Sequence, residues 1–159
     1  MADSRRELIM KHIQTTLQGV TEVLGYANTL LAVERVLQRG QSLQAPMAYV
    51  IEGDDDIINK EASGQSGLLL RRTLQVGVTL VVQQDEAIDS RSASEAMNSL
   101  IADVQKVMQV DCTRGGSAID THEDSVSAIQ ITEGQPELSS TVVYRIDYRH
   151  RRTDPAQGV

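Results

Sequence analysis

The 159-residue chain contains no Trp, no Phe and only four Tyr. Leu, Ile and Val must fill its core, and it offers few aromatic platforms for stacking single-stranded nucleic acid. Cys112 is the only cysteine, so no internal disulfide can form and the fold does not depend on an oxidising compartment. No stretch approaches the roughly 18 apolar residues that span a bilayer, so no membrane helix is expected. The first residues carry charges with no apolar run of about 7–15 behind them, so no signal peptide is expected. The protein is expected to be made and used in soluble form. Positive charge is the minority: Lys+Arg is 15 against Asp+Glu 22, a formal net charge of -7. Such a domain repels nucleic-acid phosphate except at a local basic patch.

What is present is ordinary globular material, 40% hydrophobic and 23% charged. One domain spanning residues 1–159 is expected, with a flexible polar tail at 151–159. Ser4 and Glu7 have capping-box spacing, in which each side chain reaches a free backbone N–H of the first helical turn. Ile9, Ile13, Leu17, Val20 and Leu24 then fall on one helical face. Gly25 is one candidate stop and Gly19 an earlier one. Short strands are expected over residues 29–36 and from Pro46 through Ile51. Residues 53–67, with Asp54, Asp55, Asp56 and then Ile57 and Ile58, read as a long polar loop; the Ile pair would be better satisfied against another surface. Leu74, Val76, Val78, Leu80 and Val82 alternate with Thr73, Gln75, Gly77, Thr79 and Val81, which is the period of a half-buried strand. Ser92 and Glu95 repeat the capping-box spacing. Met97, Leu100, Ile101, Val104, Val107 and Met108 continue as a helical apolar stripe. Residues 111–125 read as a Gly- and charge-rich loop, and strands are expected over 126–132 and 138–150. In the last strand Val142, Tyr144, Ile146 and Tyr148 face one way. The order α-β-β-β-α-β-β points to an α+β domain: a mixed, mostly antiparallel sheet with two helices on one face.

Three clusters are candidates for chemistry. Asp54, Asp55 and Asp56 lack the spacing of a calcium loop, and a solvated acidic loop is the ordinary alternative to metal binding. Cys112 and His122, with Asp111, Asp120, Glu123 and Asp124, supply too few ligands for structural zinc and no orienting third group for a nucleophile. Arg145, Arg149, His150, Arg151 and Arg152, with Arg71 and Arg72, form a basic strip. It reads either as a salt-bridged outer sheet face or as a subunit interface, with DNA contact a third reading. No phosphate loop, dinucleotide fingerprint, serine elbow or paired-histidine zinc motif is present. No catalytic, cofactor-binding or metal residues are therefore expected, and the function is expected to be assembly or binding rather than enzymatic.

Four stretches resemble the tail terminator (tail completion, minor tail) proteins of long-tailed bacteriophages. They are Arg5-Arg6-Glu7-Leu8-Ile9 with Leu17 beyond; Tyr26-Ala27-Asn28-Thr29-Leu30 leading into Val33-Glu34-Arg35-Val36; Pro46-Met47-Ala48-Tyr49-Val50-Ile51 into Glu52-Gly53-Asp54, with Arg72-Thr73-Leu74-Gln75-Val76 following; and Val143-Tyr144-Arg145-Ile146-Asp147-Tyr148-Arg149 with Thr153-Asp154-Pro155. The resemblance implies a virion protein, made in the host cytoplasm, that forms a ring, usually a hexamer, on the head-proximal end of the tail tube. Such a ring stops tube polymerisation and docks the head completion protein. Its partners would be further copies of itself, the tail tube protein and that connector, with DNA passing through unbound and no membrane involved. On this basis Arg145, Arg149, Arg151, Ile57 and Ile58 are subunit-interface candidates, and Asp54, Asp55 and Asp56 are channel-lining candidates. The alternative in the same class is another neck ring, such as a head completion protein. A small metal- or nucleic-acid-binding domain is the more distant one.

Overall fold

The structure, a computed structural model, describes residues 2–35, 44–62, 68–83, 92–131 and 136–156, without the side chains of 59–62 and 68. Helix α1 covers Arg5–Gln18 and α2 covers Ala93–Val110. The strands are β1 (Ala32–Glu34), β2 (Met47–Ala62), β3 (Leu68–Gln83), β4 (Asp120–Val126), β5 (Gln130–Ile131) and β6 (Glu137–Arg151). They form one sheet in the order β1-β2-β3-β6-β4, with β5 also on β6. Among the described residues only the β1–β2 pair is parallel. This is the α+β arrangement that the alternating strand runs and two helical stripes dictate.

Both helices pack on one face of the sheet. Ile9, Met10, Ile13 and Leu17 of α1 meet Met97, Leu100, Val104 and Met108 of α2 over the inward residues of β3 and β6. Those inward residues are Leu74, Val76, Val78 and Leu80, and Val142, Tyr144, Ile146 and Tyr148, all of them buried. A period of two on the strands and of about 3.6 on α2 makes the two surfaces match. Buried Asp103 departs from the α2 stripe: its carboxylate accepts from the backbone N–H of Ala27 and Asn28 and from Asn28 Nδ2 (2.7 Å), fastening the 26–28 turn to α2.

Several expectations need correction. The α2 capping box is complete, but at α1 only Ser4 caps; the Glu7 carboxylate turns to Arg35 instead (2.7 Å). Helix α1 stops at Gly19, and the chain resumes in a 3-10 turn, Glu22–Leu24, so Leu24 is exposed rather than on the apolar face. The expected loop over residues 53–67 is strand through Ala62. It pairs with β3, where Asp56 meets Thr73, Ile57 meets Arg72 and Asn59 meets Arg71, so the ladder forms without a hydrophobic alternation. Its register shifts twice, between Glu52 and Asp55 and between Ile57 and Asn59. Gly53 sits at the first shift, where a Cβ would lie 3.2 Å from the Gln75 carbonyl oxygen. Strand β4 begins at Asp120, inside the expected 111–125 loop, because its backbone bonds to β6 despite its charge. Residues 152–156 fold back rather than trail: Asp154 bridges Arg151, and the Arg5 N–H donates to the Pro155 carbonyl (3.0 Å). The polar stretches 63–67 and 84–90, the turn at 134–135 and the last three residues, 157–159, lie outside the described residues.

Candidate assembly surfaces

The β2–β3 hairpin extends beyond the helices as an arm, and an ion network fixes its root. Arg35 donates to Glu7 (2.7 Å) and Glu52 (2.6 Å); Arg6 lies 2.7 Å from Glu52 and 3.3 Å from Asp55. Asp55 also accepts from Arg72 Nε (2.9 Å) and Tyr148 Oη (2.7 Å), while Arg72 Nη2 reaches its backbone carbonyl. Burial pushes the Glu52 carboxyl up, but the hydrogen bonds from Arg35 and Arg6 outweigh it and hold the group below its usual value. Burial, then the bond to Asp55, raises the Tyr148 phenol. Charge-assisted bonds of this kind are the strong ones, and they tie α1, β1, β2, β3 and β6 together.

This network divides the acidic triad. Asp55 turns to the helix side, its side chain only 9% exposed, whereas Asp54 and Asp56 are exposed. The pleat separates neighbours that a loop would have presented together. Asp55 is thus neutralised within its own chain. Ile57 and Ile58 follow on the arm, about half exposed at 48% and 55%.

The face opposite the helices carries the basic strip. Arg71 pairs with Asp147 (2.8 Å), whose other oxygen accepts from Thr73 (2.6 Å). Burial raises the Asp147 carboxyl, and the Thr73 and Arg71 bonds reverse this to a net lowering. Arg145 reaches Asp124 on β4 (3.1 Å) and stays largely exposed; Arg149 is half-buried; Arg151 and Arg152 are exposed. Arg72 belongs to the helix-side network instead, one pleat away from Arg71. His150 is buried beside Tyr148, ring centroids 6.0 Å apart.

The remaining cluster does not assemble as a site. His122 is exposed beside Asp120 (3.3 Å), and Cys112 lies against Gln109. Among the described residues no group of three His, Cys, Asp or Glu could hold a metal ion, and no helix is long and apolar enough to cross a membrane. Asp111 does organise its loop. It accepts from Thr113 Oγ1 (2.7 Å), the Gly115 N–H (2.7 Å) and the Thr113 N–H (2.9 Å), and stands 3.3 Å from His12 Nε2. These bonds, led by that from the Thr113 hydroxyl, hold its carboxyl at about 2. Sequence reading overlooked Arg114. It is fully buried, donates to Thr121 Oγ1 (3.0 Å) and the Met108 carbonyl (2.6 Å), and takes a φ of 52. The only signal was the Asp-x-Thr-x-Gly-Gly order, which favours a tight left-handed turn.

No family model and no curated protein sequence matches the chain. Among solved structures, a chain of the virion of a native gene transfer agent (GTA) particle is similar in fold, with a TM-score of 0.50 and 13% sequence identity. The likeness covers 89% of this chain and 94% of that one, so it is a likeness of the whole domain.

Proposed function

We propose that this chain is a non-enzymatic structural subunit of a phage-like virion. In this reading it forms a ring on the head-proximal end of the tail tube, ends tube polymerisation and joins the tail to the neck proteins. The observation that carries the reading is the end-to-end fold likeness to a chain of a gene transfer agent virion. The resemblance of four sequence stretches to tail terminators narrows it to the tail end. The surfaces suit such a part: a braced arm bearing exposed Ile57 and Ile58 gains from burial only against a neighbour. A net charge of -7 lets DNA pass without adhering. Its partners are then further copies, the tail tube protein and a head completion protein.

Particles produced with and without this chain test the reading. In its absence, tubes of unregulated length that fail to join heads are expected, and the chain should appear by mass spectrometry in complete particles. Tubes of normal length joined to heads would overturn the reading. Twelve-fold rather than six-fold rings would move the chain to the connector side of the neck.

A further inference from the structure

The arm beyond the helices is a three-stranded ribbon with β2 on one side, β3 in the middle and β6 on the other. Strand β1 covers β2 only at Met47, Ala48 and Tyr49. Strand β4 covers β6 only between Val142 and Asp147. Among the described residues, the outer side of β2 beyond Tyr49 therefore lacks a neighbouring strand, and beyond Asp147 the outer side of β6 meets only the chain's own return turn, where Asp154 bridges Arg151. Exposed strand edges are natural joining sites unless something blunts them.

The two sides carry opposite charge. On β2, Asp54 and Asp56 are exposed and form no ion pair among the described residues, while Lys60 and Glu61 further along cancel formally. On the β6 side, Arg151 and Arg152 are exposed and likewise form no ion pair among the described residues. The one acid in that turn, Asp154, accepts from the Ala156 N–H (3.0 Å) and offsets one of the two positive charges, leaving the end net basic. The β4 edge, by contrast, bears Asp120, Glu123 and Asp124 and would repel the β2 arm. The two register shifts in β2 break the even spacing a long backbone ladder needs, so contact there runs through side chains.

Resting on the ring reading above, we propose that one copy's acidic β2 side, Asp54 and Asp56 with the exposed Ile57 and Ile58, seats against the basic β6 end, Arg151 and Arg152, of the next copy. The two patches lie on opposite sides of one ribbon, so the contact is heterologous. It repeats from copy to copy instead of stopping at a two-fold dimer, and the ring reading requires that the rotation between copies closes.

Charge exchange tests this. One variant carries Asp54→Arg with Asp56→Arg, a second Arg151→Glu with Arg152→Glu, and a third all four changes. Sedimentation velocity at low and moderate salt reads self-association, and circular dichroism checks the fold. Wild type should associate, less so at higher salt, because the attraction is screened. Each two-site variant should lose roughly tenfold or more in association. Mixing the two variants, or combining all four changes, should restore it. A wild type that stays monomeric at low salt, two-site variants that associate like wild type, or a four-site variant that is not restored would each overturn the contact. Particles in which the chain forms a tail-end ring through other faces would also remove it, yet would leave the virion reading standing.

Discussion

The body of the sheet and its arm are held by different physics. In the body, Leu74, Val76, Val78 and Leu80 of β3 lie under Leu100 and Val104 of α2, all with no measurable exposure. Non-directional burial holds this half, at about 25 cal/mol for each Å² of apolar surface removed from water. In the arm, the same strands run on with Leu69 and Leu70 of β3 still buried, but polar and charged side chains brace its root: Arg6, Glu52, Asp55, Arg72 and Tyr148. Polar bracing is directional, so it aims the hairpin without covering it. The contrast shows how a small domain keeps a firm core and still projects an edge.

The largest effect should come from the body. Leu100→Ala removes a fully buried side chain between α2 and the sheet and should cost about 2–5 kcal/mol, read by chemical denaturation. Amide exchange should then quicken through the body and the arm together, since the body is the shared support.

Asp55→Asn should come next, at about 1–3 kcal/mol, because it leaves Arg6 and Arg72 facing a neutral group and weakens the Tyr148 bond. Exchange should quicken mainly at arm amides between residues 55 and 62 and their β3 partners. Uniform quickening across the body would erase the distinction between the two halves.

Acid should act on the braced carboxylates. Glu52, Asp147 and Asp111 all sit below their ordinary values when folded, so the unfolded chain binds more protons in that range and stability is lost as the pH is lowered. For Asp111 the loss runs from 3.8 down to about 2. Thermal melts across this window should slope less steeply for Asp111→Asn than for wild type, and equal slopes would count against the role of its loop bonds.

The smallest effect on folding should come from Asp54→Asn with Asp56→Asn. Both groups are exposed and unbraced, so stability should shift by under about 0.5 kcal/mol. A large loss of melting temperature would show that the arm depends on these acids as well as on Asp55.

Much of the body was legible in the chain. The 74–82 and 142–148 alternations and the 97–108 stripe are periodic signals that only burial explains, and Ser92 with Glu95 marked the start of α2. The arm was not legible, because Asp54 through Asp56 have low strand propensity and no apolar alternation. Their strand forms because β3 supplies a ladder and Arg6 and Arg72 supply counter-charge, both distant in sequence. Arg114 was hidden for the same reason: its partners are a helix-end carbonyl and a hydroxyl on β4. The Leu24 reading failed because periodicity continues past Gly19 although the backbone does not.

Local pattern alone therefore determined the fold class, the two helices, the inward faces of β3 and β6 and the acidic balance of the whole, since periodicity and charge are properties of the chain itself. Tertiary structure decided which acids are neutralised and which remain free, and which arginines share a face. A carboxylate's state depends on what stands within a few ångströms of it, and for Asp55 those neighbours are Arg6, Arg72 and Tyr148, brought together only by folding.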